Sequence, residues 1–141
     1  MTWVTDQLFM GFSVDDLQSG AGQLLTIYFD SDGSGAGPNS QDRAFRMARD
    51  GTLWTGVWDG NSWSWLEENE NWEAVMAERP GELWVIELGI NAALEMPVML
   101  GGEEFGLLVV LGQDGEQGAW PDGGIAVNAD TWQTVDNNLC N

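Results

Sequence analysis

Residues 53–65 read Leu-Trp-Thr-Gly-Val-Trp-Asp-Gly-Asn-Ser-Trp-Ser-Trp, so that Trp54, Trp58, Trp63 and Trp65 flank an Asp59-Gly60-Asn61 turn signal. Asp-Gly and Gly-Asn favour hairpin turns because such turns need positive φ. With Asp59-Gly60 as a two-residue loop, Trp54 pairs with Trp65; with Gly60-Asn61 as the loop, Trp58 pairs with Trp63. Side chains alternate along a strand, so both registers put all four indoles on one face, whereas a three-residue loop breaks the parity. A face of this kind is either the lid of a hydrophobic core or a platform on which a sugar ring stacks.

A second chemistry is cation binding by carboxylates. Asp30-Ser31-Asp32-Gly33-Ser34 is similar to the start of an EF-hand loop, but the twelfth position is Gln41 where such a loop closes on glutamate, so a true EF-hand is not expected. Asp42 and the Asp15-Asp16 pair also flank strand ends and are expected to converge with Asp30 and Asp32 on one Ca²⁺. The competing reading is that these are solvated turn aspartates.

Catalysis finds little support. The chain has no histidine, which excludes an imidazole-ligated metal and a Ser-His-Asp triad. Paired carboxylates of the glycosidase kind arise by chance among 23 acidic residues, and no nucleophile with an activating base is visible. The expectation is a protein that is not an enzyme.

The elements that position these residues are strands. Residues 7–14 alternate, with Leu8, Met10, Phe12 and Val14 on one side; residues 23–29 follow with Leu25, Ile27 and Phe29. A Gly/Pro/Ser loop over 34–40 precedes an alternating stretch over 43–49, and Asp50-Gly51 turns into the tryptophan hairpin. Residues 72–78 and 83–88 form a further pair joined around Arg79-Pro80-Gly81-Glu82. Residues 91–95 suit one helical turn before Pro97 stops it. Residues 104–111 are apolar enough to be buried on both faces, and Trp84 reads as core. Trp120-Pro121-Asp122-Gly123-Gly124 is a turn, with short strands expected around 125–127 and 132–135. Eight or nine short strands with Gly/Asp turns and almost no helix predict an all-β fold, an antiparallel β-sandwich of immunoglobulin-like or jelly-roll-like two-sheet architecture. One domain is expected over residues 1–141, with a polar tail at 136–141.

Charge limits the partners. With 23 acidic residues against four arginines and no lysine, the net charge is −19. Such a surface repels nucleic acid and anionic membranes, attracts cations and suits high salt. No apolar run approaches the ~20 residues of a membrane span. The only cysteine, Cys140, leaves no internal disulfide, and is either a free thiol or an interchain link. No signal peptide is visible, and the chain reads as part of a longer secreted, extracellular protein.

Several segments, in order, resemble the carbohydrate-binding module family 9-like group, which is close to the DOMON domains. Leu8-Phe9-Met10-Gly11-Phe12-Ser13-Val14-Asp15-Asp16 and Leu25-Thr26-Ile27-Tyr28-Phe29-Asp30-Ser31-Asp32-Gly33 are similar to two of its strands. Asp42-Arg43-Ala44-Phe45-Arg46-Met47, Trp84-Val85-Ile86-Glu87-Leu88-Gly89-Ile90-Asn91, Glu104-Phe105-Gly106-Leu107-Leu108-Val109 and Trp120-Pro121 follow at the expected places. The resemblance spans residues 4–132. Asn91 stands where the family has proline, and the family's first segment is missing. That absence implies an open sheet edge, or an edge filled by a neighbouring domain or chain.

The resemblance implies a sugar site built from aromatic side chains, with calcium nearby. The candidate ligand residues are Trp54, Trp58, Trp63, Trp65 and Trp120, with Asp59, Asn61 and Asp122 as polar partners. The candidate metal ligands are Asp15, Asp16, Asp30, Asp32 and Asp42. Haem binding, known in part of the superfamily, lacks a histidine here, and Met10 and Met47 read as core filler. The expected function is a non-catalytic extracellular module that stacks polysaccharide or another glycan on exposed tryptophans and is stabilised by Ca²⁺. The alternative is a structural or assembly subunit, of a filament, surface layer or adhesin, that uses an open edge for strand addition.

Overall fold

Alternating apolar residues divide the strands into an inner and an outer side, and that division organises the molecule. The computed structural model describes residues 1–15, 23–79, 83–113 and 116–137. Among them, β1 (Thr2–Val4), β2 (Gln7–Asp15), β7 (Trp72–Arg79) and β8 (Leu83–Asn91) form a small sheet in the order β1-β2-β8-β7. A larger sheet holds β3 (Leu24–Asp30), β4 (Arg43–Ala48), β5 (Leu53–Trp58), β6 (Trp63–Leu66), β9 (Glu104–Gln113) and β10 (Glu116–Trp120) in the order β10-β9-β3-β4-β5-β6. β11 (Gln133–Asp136) pairs with the first part of β9 and β10 with the last part. All pairings are antiparallel. The expected all-β sandwich is the observed one.

The inner faces meet in one core. Leu25, Ile27, Phe29, Phe45, Met47, Phe105 and Leu107 from the large sheet pack on Leu8, Met10, Trp72, Trp84, Ile86, Leu88 and Ile90 from the small one. Phe29 meets Phe45 edge-on at 5.9 Å, and Phe105 at 6.0 Å. Trp84 is fully buried, as its apolar surroundings predict, and each such side chain is worth about 1.5–3 kcal/mol of burial. Met10 and Met47 belong to this core.

Two local expectations are corrected. Pro97 does not end helical structure but starts a second turn: α1 (Ala92–Glu95) is capped by the Asn91 side chain, and α2 (Pro97–Gly101) carries proline at its first position, where no N–H is needed. Residues 125–127 are not a strand; Ile125 makes one isolated bridge to Asn128, and the segment crosses the outer face of the large sheet. β10, over residues to which the sequence pattern assigns no element, forms by main-chain pairing with the apolar β9.

β2 pairs with β8 along all nine residues, but β1 covers only Gln7 to Phe9 on its other side. Among the described residues no strand covers the rest of that edge. The 80–82 turn and the tail from 138, Cys140 included, lie outside the described residues.

Candidate functional site

The tryptophan hairpin adopts the second of the two registers. Trp58 faces Trp63 and Gly56 faces Trp65. The Asp59 N–H donates to the Ser62 carbonyl at 3.1 Å, leaving Gly60, at φ +107°, and Asn61 at the tip. The Ser62 and Asn61 N–H groups both donate to Asp59 Oδ1 at 2.9 Å. These bonds hold the Asp59 carboxyl below its ordinary range. Asp59 therefore closes the turn, and Asn61 sits exposed beside it.

All four indoles share one face, and it is the outer one. Trp54 stands opposite Arg46, and Gly56 opposite Ala44, while Phe45 between them points into the sandwich. The rings are half-buried rather than bare, because a second, smaller cluster forms outside the sheet. Tyr28, Ala44, Leu108, Ala129 and Trp132 are its buried members, and Trp63 and Trp65 pack against them. Tyr28 is the hub, 5.2 Å from Trp63, 6.2 Å from Trp65 and 5.9 Å from Trp132. Trp63 Nε1 donates to the Ala126 carbonyl and Trp132 Nε1 to the Ile125 carbonyl, each at 2.8 Å. Two indoles thus clip the 125–126 segment onto the sheet. Trp54, opposite Arg46, and Trp58, 5.6 Å from Trp63, complete the face.

Between this segment and the sheet lies a cleft of about 600 Å³. Thr26, Tyr28, Arg46, Val110 and Ala119 line its sheet side, and Asp122 and Ile125 belong to the strap across it. Arg46 lies 3.7 Å over the face of Trp65, and its Nε donates to Thr26 Oγ1 at 3.0 Å. Burial pushes the Tyr28 phenol up in pKa, against the pull of the Arg46 charge and hydrogen bond. Trp120 does not join the platform. It is paired with Val109, whose side chain belongs to the inner face, while its neighbour Ala119 belongs to the outer cluster, so Trp120 projects from the opposite side and is 52% exposed. Of the predicted polar partners only Asp122 reaches the cleft.

Sequence reasoning missed Tyr28, Thr26, Arg46 and Trp132. The first three were marked by parity: they occupy the positions between the inward-facing apolar residues of β3 and β4.

The acidic loop between β3 and β4 folds back on itself. Asp30 ends β3, Asp42 immediately precedes β4, and carboxylate oxygens of Asp30, Asp32 and Asp42 lie within 4.8 Å of one another. Asp42 accepts from the Ser31 N–H at 2.9 Å and the Asn39 N–H at 2.8 Å, and Asp30 from the Gly35 N–H at 2.8 Å. Burial pushes Asp42 up to about 6 despite these bonds, and the charges of Asp30 and Asp32 add to the shift. Burial raises Asp30 as well; for Asp32 burial is outweighed by hydrogen bonds from Asp30, Ser34 and Asn39, which lower it. Ser31 Oγ is buried beside them with no hydrogen-bond partner among the described residues. Gly106 leaves the room that the Asp30 side chain occupies, since a Cβ there would sit 2.8 Å from Asp30 Cβ. Three of the five predicted metal ligands are thus brought together. Asp15 ends β2, and its side chain, like all of Asp16, lies outside the described residues.

Among the described residues, no helix is long and apolar enough to cross a membrane. The chain matches no protein-family model, no curated protein sequence and no solved structure.

Proposed function

We propose that the chain is a non-catalytic, extracellular carbohydrate-binding module of the family 9-like kind, whose ligand surface is the outer face of the large sheet. One observation carries this reading: the tryptophan face is turned away from the sandwich core and borders a cleft of ligand size. Trp54 and Trp58 offer half-buried indoles on that same outer face, and Asp122 supplies a carboxylate for sugar hydroxyls. Trp63 and Trp65 support the site from beneath. Ca²⁺ bound by Asp30, Asp32 and Asp42 stabilises the β3–β4 loop, at the end of the strand that carries Tyr28. A binding role agrees with the absence of histidine.

Tryptophan fluorescence titrated with a panel of neutral and acidic oligosaccharides tests the proposal. Saturable quenching that Trp54→Ala weakens is the expected result. A flat response from folded protein against the whole panel ends it.

A second reading rests on the edge of β2 beyond Phe9, unpaired among the described residues, which offers main-chain donors and acceptors for strand addition by a neighbouring domain or another copy. Sedimentation at high concentration tests it; a strict monomer counts against it.

A further inference from the structure

We propose that the outer-face cleft recognises a sugar bearing a single carboxylate, a uronic acid residue on an otherwise neutral short glycan, with Arg46 as the group that reads the carboxylate. The inference rests on the carbohydrate-binding reading and adds the chemical class of the ligand.

Cations are scarce in this chain, four against 23 acidic residues, so where each one goes is informative. Arg43 pairs with Glu95 at 3.6 Å and also donates to the Ser40 and Asp42 carbonyls. Arg49 pairs with Glu78 and reaches Gln23. The side chain of Arg79 lies outside the described residues. Arg46 differs: its contacts are the Thr26 hydroxyl, the Tyr28 phenol and the Trp65 ring, all neutral, and no described carboxylate lies at ion-pair distance. Among the described residues, then, the Arg46 charge meets neutral groups and no carboxylate.

Its surroundings suit a bidentate partner. Thr26 takes the Nε hydrogen and Trp65 covers one face of the guanidinium plane, which fixes the orientation of the fork. A carboxylate matches the remaining parallel N–H pair, and this geometry separates arginine from lysine. Among the described residues, Arg46 is the only cationic side chain lining the cleft.

The field of the protein limits how many charges the ligand carries. At net charge −19 each extra carboxylate adds repulsion, and only one finds Arg46. A polyuronate is therefore disfavoured relative to a short glycan with one uronate.

The test is calorimetric titration of the full chain with matched probes: methyl glucuronide against methyl glucoside, a galacturonide against its galactoside, then acetate and polygalacturonate. The expected result is at least tenfold tighter binding of the uronides than of the neutral glycosides. Arg46→Gln removes that difference, and Arg46→Lys restores only part of it. Thermal melting confirms that the variants fold. Equal affinities within each matched pair, or a preference that survives in Arg46→Gln, overturn the inference while the carbohydrate reading stands. Acetate binding as tightly as the uronides overturns it too, because the ring would then contribute nothing. Failure of every sugar to bind folded protein overturns both.

Discussion

The Trp65 ring packs against Gly56, so closely that a Cβ at Gly56 would stand 2.7 Å from Trp65 Cζ3 and 3.1 Å from Ala44 Cβ. Gly56 sits opposite Trp65 on one side and Ala44 on the other, so two small residues make the trough in which the indole rests. From there the ring reaches the Arg46 guanidinium. A small-residue pair in the middle of the sheet thus sets the position of a charge one strand away.

Gly56→Ala should therefore destabilise the protein, although Gly56 does not need a left-handed backbone. The added methyl pushes Trp65 off the sheet and loosens its contact with Tyr28, an overpacking cost of about 1–3 kcal/mol. Denaturant unfolding followed at the tryptophans measures it. Unchanged stability would show that the ring gives way freely and that the trough positions nothing.

The hairpin register, the inward parity of β3 and the core position of Trp84 follow from local sequence, because alternation and a Gly-Asn tip leave few choices. The cleft does not. Arg46 and Thr26 meet because β3 pairs with β4 at one particular offset, and the 12-residue connection over 31–42 does not fix that offset. Trp132 reaches Tyr28 only because residues 121–131 double back over the sheet, and nothing in their polar, glycine-rich composition indicates which face they cover. Trp120 was misplaced for a similar reason: its side depends on the pairing of β10 with β9. The acidic cluster was half legible, since Asp30-x-Asp32 is local while Asp42 joins it through the pairing of Phe29 with Arg43.

In EDTA, stability should fall as pH rises through the window set by Asp42. Its ordinary value is 3.8, and in the fold burial raises it to about 6. Between those values the folded state binds more protons than the unfolded one, so ionisation at higher pH costs the fold, on the order of 3 kcal/mol for a shift of this size. Asp42→Asn stays neutral throughout and should flatten the slope between about pH 4 and pH 6. Asp30 shifts in the same direction, so part of the slope remains. Melting temperatures for both proteins across this range decide the matter: parallel curves would mean that Asp42 ionises normally in the fold.

Calcium should reverse that penalty. A bound divalent cation favours the ionised carboxylates of Asp30, Asp32 and Asp42, so Ca²⁺ at pH 7 should raise Tm, by roughly 2.7 kcal/mol of added stability at a hundredfold excess over Kd. The gain should vanish near pH 4, where Asp42 keeps its proton, because the metal must displace it. Calorimetric scans with Ca²⁺ and with EDTA provide the measurement. Superimposed scans at pH 7 would remove the metal from the proposal.

Trp63 and Trp54 stand on the same face but should respond differently to substitution. Trp63 donates to the Ala126 carbonyl and touches Tyr28, so its ring holds the strap over the cleft. Trp63→Phe keeps an aromatic ring but leaves that carbonyl without its indole donor, at about 1–3 kcal/mol. Amide exchange at residues 124–128 should quicken with it. Trp54 is half-buried on the outer face, and its loss should leave exchange in the strap unchanged while weakening glycan binding by about 1 kcal/mol or more through lost stacking. Hydrogen exchange and a glycan titration on the two variants separate support from recognition. If Trp54→Ala instead loosens the strap and Trp63→Phe does not, the roles assigned to the two indoles are reversed.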